Sequence, residues 1–95
     1  DIDAEAVVSA AAEIGATPFS DYEDFLNADI DAVVIASPLP FHAAQAAQAL
    51  RAGKHVLSEV TACLNMQQVE ELLAAARESS AIYMMSENFW YLDEV

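Results

Sequence analysis

The side chains best placed for chemistry are Ser37, His42, Glu59 and Asn88: a hydroxyl, an imidazole, a carboxylate and an amide, each next to an apolar run. Such groups bind and orient polar ligands through hydrogen bonds. Glu59 ends the run His55-Val56-Leu57-Ser58 and has no cationic neighbour in sequence. Burying a carboxylate there is costly unless it is hydrogen-bonded, so a functional role is expected for it. His42 opens an alanine-rich stretch, where packing or hydrogen bonding explains it as well as ligand contact does. His55 lies inside an apolar run and is read as a core or sheet-face residue. Other chemistries have little footing. His42, His55, Glu59 and Cys63 lack a recognised metal-ligand spacing. Cys63 sits in an apolar turn with no sign of an activating base.

The elements that must hold these groups follow from periodicity and breakers. Ala32 to Ala36 is a short apolar, β-branched run, suited to a strand buried on both faces, as in a parallel sheet covered by helices. Ser37-Pro38-Leu39-Pro40 stops regular structure, because each proline lacks an N–H and restricts the residue before it. Phe41 to Ala52 reads as a helix whose polar residues, His42, Gln45, Gln48 and Arg51, are three apart and trace one narrow stripe. Its alanines allow close approach to a sheet. Gly53 ends the helix, Lys54 faces its negative end, and His55 to Ser58 forms the next strand. Strand, helix and strand make a right-handed βαβ unit.

Around this unit, Asp3 is expected to cap a helix from Ala4 to Ile14 with Val7, Val8, Ala11 and Ile14 on its buried face, stopped by Gly15. Ala16 to Phe19 is a candidate edge strand, weakened by Pro18. Ser20-Asp21-Tyr22-Glu23 reads as a capping box for a short helix with Phe25 and Leu26 inward. Asn65 and Gln68 form an amide version of that box, opening a helix toward Glu78 with Met66, Val69, Leu72, Leu73 and Ala76 inward. Ala81 to Met85 is the last strand, and Phe89 to Leu92 starts a further helix. The alternation belongs to a doubly wound α/β sheet. In such sheets ligands lie beyond the carboxyl ends of the strands, where Ser37 to His42, Glu59 to Thr61 and Ser86 to Asn88 all fall.

Composition narrows the function further. Apolar residues make up 56% of the 95, enough to bury a core. A formal net charge of −13 argues against nucleic acid or an anionic membrane surface as partner. The single cysteine cannot form an internal disulfide and fits a reducing, cytoplasmic setting. No apolar run reaches the roughly 18–20 residues of a membrane span.

The stretch DAVVIASPLPFHAAQAAQALRAGKHVLSE, residues 31–59, resembles the nucleotide-binding domain of the Gfo/Idh/MocA oxidoreductases. That family typically carries DAVVIATP, a histidine opening the next helix, and AGKHVLCEKP. The resemblance implies a partial Rossmann-like sheet, the later part of a dinucleotide-binding domain. The first two strands, the glycine-rich turn and the substrate domain would lie outside residues 1–95. It implies NAD or NADP as cofactor, contacted by Asp1, Ser37, Pro38, Leu39, His42, Glu59 and Asn88. Asp1 matches the acidic residue that accepts the adenosine ribose hydroxyls, which favours NAD; a capping aspartate at a frayed terminus accounts for it equally. The substrate of the intact protein would be a sugar, cyclitol or related polyol, and a homo-oligomer is expected. One departure stands out: Glu-Lys-Pro of the family is Glu59-Val60-Thr61 here. Val60 can neither titrate nor donate a hydrogen bond, so no catalytic residue is assigned, and the isolated chain is expected to be inactive. Relatives on this fold that cleave glycosides with bound NAD form the alternative, and a non-catalytic binding or regulatory protein is the other.

Overall fold

The computed structural model describes residues 1–93, arranged as two compact units, Asp1–Ile30 and Asp31 onward.

In the first unit, α1 spans Ala4–Ile14. Asp3 caps it, its carboxylate accepting the Ala6 N–H at 3.0 Å. Gly15 stops it in the left-handed region (φ 69°), and the Ala16 N–H reaches back to the Ala11 carbonyl at 2.9 Å. The buried residue on α1 is Ala11, whereas Val8 and Ile14, expected inward, are exposed. Helix α2 is Tyr22–Leu26, capped by Asp21 rather than Ser20: the Asp21 carboxylate accepts the Asp24 N–H at 3.0 Å. Leu26 is buried and Phe25 half-buried, with Phe25 edge-on to Phe19 at 5.7 Å. Ala16 to Phe19 does not form the expected strand. Pro18 has no N–H to give a ladder, and one bond, from the Asp1 N–H to the Phe19 carbonyl at 3.0 Å, does not make one.

The second unit holds a parallel sheet of β1 (Ala32–Ile35), β2 (His55–Glu59) and β3 (Tyr83–Ser86), in the order β1-β2-β3. The register pairs Val33 with Val56 and Ile35 with Ser58, then Val56 with Tyr83 and Glu59 with Ser86. Helix α3 (His42–Arg51) lies over β1 and β2, and α4 (Met66–Glu78) packs on α3. The alanines do what their size predicts: Ala43, Ala46, Ala47 and Ala49 are buried, with Leu50 fully enclosed beside them. Gly53 ends this helix region at φ 78°.

The sheet is buried on one face rather than two. Val33 and Ile35 point under α3, while Val34 is 68% exposed. By register Val34, Leu57 and Met84 form an apolar row across the bare face. The β-branched run therefore encodes a strand without encoding what covers both its sides. In α4, Asn65 caps as expected, accepting the Gln68 N–H at 2.9 Å, and Gln68 takes the Leu64 N–H at 2.7 Å. Leu72 and Ala75 are its buried residues; Met66 and Leu73 are exposed. Ser79 does the work of a terminal glycine, donating to the Leu50 carbonyl at 2.6 Å and accepting the Ala81 N–H at 3.0 Å. His55 is on the bare sheet face, and its Nδ1 accepts the Ile82 N–H at 2.9 Å. After β3 the chain makes a single 3₁₀ turn, Asn88–Tyr91, ended at Leu92, in place of the expected helix. Among the described residues, no helix is long and apolar enough to cross a membrane.

Candidate functional site

The carboxyl ends of β1, β2 and β3 lie side by side, because the strands are parallel and adjacent. Each end is followed by one of the polar segments picked out above. Ser37 follows β1; Pro38 then precedes a 3₁₀ turn, Leu39–Phe41, closed by the Phe41 N–H on the Pro38 carbonyl at 3.0 Å. Leu39 and Phe41 are about half exposed, at 47% and 54%. Glu59 is the last residue of β2 and Asn88 the first of the turn after β3, and both are exposed. Ser37, Pro38, Leu39, His42, Glu59 and Asn88 thus belong to one unit and one end of one sheet. Asp1 belongs to the other unit, where its carboxylate accepts the Asp3 N–H at 2.9 Å.

Glu59 differs from expectation. Strand alternation puts its side chain on the bare face, in register with Ser86, so the carboxylate is solvated and bears no burial cost. The buried polar residue of β2 is Ser58, whose hydroxyl donates to the Glu59 carbonyl at 3.0 Å. Asn88 does not cap the final turn; the Glu87 carboxylate does, accepting the Phe89 N–H at 3.1 Å.

His42 is 2% exposed. Its Nδ1 lies 3.0 Å from the Thr61 carbonyl and its Nε2 against the Ser37 carbonyl. The imidazole therefore bridges the loops that follow β1 and β2. One turn along α3, Gln45 accepts a hydrogen bond from the Ser37 hydroxyl. The polar stripe of α3 is thus spent on structure at its N-terminal end, and Arg51 at the other end pairs with Glu71 (3.6 Å) and Glu78 (3.4 Å) on α4. The roles of Gln45 and of the Thr61 carbonyl were not read from sequence. The three-residue spacing on an alanine-covered helix is a visible signal for Gln45, and nothing local marks Thr61. The Val60–Thr61 peptide bond in this loop is cis.

An open, mainly apolar hollow of about 490 Å³ adjoins the loop, lined by Val60, Cys63, Val69, Leu72 and Met85 among others. It lies on the α4 side of the loop, and neither Ser37 nor Asn88 lines it. Thr61 after β2 and Glu87 after β3 also line it, so the hollow adjoins the strand-end edge, although Ser37, His42, Glu59 and Asn88 are not in its wall. Burial pushes the Cys63 thiol up, which makes it a poorer nucleophile. Burial also raises the Tyr83 hydroxyl, which is enclosed without a hydrogen-bond partner; the opposing influence of Ser58 is smaller, its own proton going to Glu59. Among the described residues no group of His, Cys, Asp and Glu side chains is placed to hold a metal ion.

A parallel open sheet with polar loops gathered at its carboxyl edge defines a Rossmann-type ligand-binding domain. Residues 1–87 match the model of the oxidoreductase family with an NAD-binding Rossmann fold, and the chain belongs to this Gfo/Idh/MocA family. The dTDP-3,4-didehydro-2,6-dideoxy-alpha-D-glucose 3-reductase of Actinomadura kijaniata is 42% identical over 79 residues, 82% of this chain and 23% of that protein. The scyllo-inositol 2-dehydrogenase (NADP(+)) IolU of Bacillus subtilis is 38% identical over 76 residues, 79% of this chain and 23% of its own. A glycosyl hydrolase family 109 protein of Shewanella sp. strain ANA-3 is 38% identical over 71 residues, 74% of this chain and 16% of that one. Among solved structures, the A. kijaniata 3-ketoreductase KijD10, in complex with TDP-benzene and NADP, superposes with a TM-score of 0.84 at 33% identity, covering 96% of this chain and 29% of that one. The WlbA dehydrogenase of Bordetella pertussis, in complex with NADH and UDP-GlcNAcA, gives 0.80 at 32% identity, covering 88% and 25%. The chain therefore spans about a quarter or less of the curated relatives it matches.

Proposed function

We propose that this chain is the later part of the dinucleotide-binding domain of an NAD(P)-dependent oxidoreductase acting on a hydroxyl of a sugar, cyclitol or related polyol. The observation that carries the reading is the convergence of Ser37-Pro38-Leu39, Glu59 and Asn88, from three separate stretches, on adjacent carboxyl ends of one parallel sheet. That edge fits one flank of a dinucleotide: exposed Leu39 offers an apolar surface, Ser37 and Asn88 offer polar atoms, and solvated Glu59 accepts hydrogen bonds from ribose or amide. Pyrophosphate in this fold is gripped by a glycine-rich turn. Both glycines of this chain, Gly15 and Gly53, are instead positive-φ helix stops, so that grip has to come from outside residues 1–95. When bound, the nicotinamide supplies the hydride acceptor or donor. NADP is bound by KijD10 and NADH by WlbA, and the resemblance of Asp1 to the family's ribose-binding acidic residue is what favours NAD in this reading.

No residue of the chain is assigned to proton transfer, since Val60 stands at the family's lysine position. The likeness to a family 109 glycosyl hydrolase supports a second reading, NAD-assisted glycoside cleavage. One assay separates the readings. The full-length protein is offered a panel of sugars, cyclitols and glycosides with NAD or NADP. Net dinucleotide reduction with a free polyol supports the oxidoreductase. Cleavage of a glycoside without net dinucleotide consumption supports the hydrolase. Neither activity, with dinucleotide bound, would leave a binding or regulatory protein.

A further inference from the structure

We propose that His42 is a positioning residue: its enclosed imidazole ties the loop after β1 to the loop after β2 and so fixes the two segments of the strand-end edge relative to each other. The inference rests on the dinucleotide reading only for what that edge binds. The tie itself rests on geometry. His42 is 2% exposed, and its two ring nitrogens face backbone carbonyls 5 residues before it and 19 residues after it. Beyond the short 3₁₀ turn Leu39–Phe41 the loops are joined by side chains. Gln68 of α4 takes the Leu64 N–H at 2.7 Å and reaches the Pro40 carbonyl at 3.5 Å, both bonds exposed, and His42 is the enclosed link, next to Ser37 and Thr61. The two nitrogens point in different directions from one rigid ring toward two carbonyls that can only accept, so the ring donates to both when both nitrogens carry a proton and to one, packing against the other, when it is neutral. Gln45, one turn along the same helix, accepts the proton of the Ser37 hydroxyl. Helix α3 therefore holds Ser37 by carbonyl and by side chain at once, while the same His42 ring reaches Thr61 next to Glu59 and Val60. Because α3 itself is seated on buried alanines, the tie is referenced to the sheet rather than to a mobile segment.

The test uses the full-length protein and two substitutions. His42→Phe keeps a packed ring and removes both contacts; His42→Asn keeps one amide donor. Peptide-resolved hydrogen exchange and calorimetric titration with NAD and NADP are read well below the unfolding temperature. His42→Phe is expected to speed exchange about tenfold in both 37–41 and 59–63, and to weaken dinucleotide binding about tenfold, with α4 unchanged. His42→Asn should recover part of both effects. A histidine that only fills space would lower thermal stability without opening the two loops together. Wild-type exchange in both loops of His42→Phe would overturn the proposal, whatever the dinucleotide does. If His42→Phe does not fold, His42→Asn decides: faster exchange in either loop supports the tie, and wild-type exchange in both overturns it. If the wild-type protein binds no dinucleotide while the variant still opens both loops, the tie stands and the dinucleotide reading falls.

Discussion

Leu50→Ala is expected to be the most damaging single truncation in the second unit. Leu50 is fully enclosed on α3, and the residues around it on that helix are alanines too small to move into the space it leaves. Truncation forfeits roughly 2 kcal/mol of transfer free energy at about 0.8 kcal/mol per methylene. The unfilled cavity raises the total to about 2–5 kcal/mol, and a rigid surround favours the upper half of that range. The bond from the Ser79 hydroxyl to the Leu50 carbonyl is to backbone and survives, so the loss reports packing alone. Against a total stability of about 5–15 kcal/mol for an ordinary domain, the effect is large. Urea unfolding followed by circular dichroism should show a lower midpoint with an unchanged slope. Met66→Ala, at a 70% exposed position on α4, is the control and should shift stability by no more than about 0.5 kcal/mol. Equal midpoints for Leu50→Ala and wild type would refute the account of α3 as the seat of the core.

Burial pushes the Tyr22 hydroxyl up to about 12, so the folded chain holds its proton where the unfolded chain has lost it. The stability contributed is complete below pH 10 and is lost as pH rises toward 12; alkaline melting should therefore be shallower in Tyr22→Phe, and identical pH profiles would contradict this. Asn65→Ala removes the cap of α4 and should cost about 1 kcal/mol by chemical unfolding, since the Gln68 N–H loses its acceptor. The row Val34, Leu57 and Met84 leaves an apolar stripe on the sheet, so the 95-residue chain alone is expected to self-associate despite its charge of −13. Leu57→Lys should reduce that association in sedimentation, and a monodisperse wild-type monomer would count against it.

What could be read from sequence was what is settled within a few residues. The bounds of α1 follow from Asp3 and Gly15, and the start of α4 from Asn65 and Gln68, because caps act within one turn. The parallel βαβ order followed from the run at Ala32 to Ile35, the alanine helix and His55 to Ser58. Features set by distant partners were misread or missed. Exposure of Val34 depends on what covers a sheet face, and exposure of Glu59 on which side of the strand it falls. Ala16 to Phe19 had strand composition but no ladder to join. The bridge from His42 to Thr61 links residues 19 apart, and nothing local announces it.

Under the proposed function, the loops after β1, β2 and β3 form one dinucleotide-facing edge. Hydrogen exchange on the full-length protein, with and without saturating NAD or NADP, tests it directly. Within residues 1–93, protection on binding is expected to concentrate in 37–41, 59–61 and 86–88 and to spare the outward side of α4 at Glu70 and Glu71. Dinucleotide binding that leaves all three loops unprotected would contradict it.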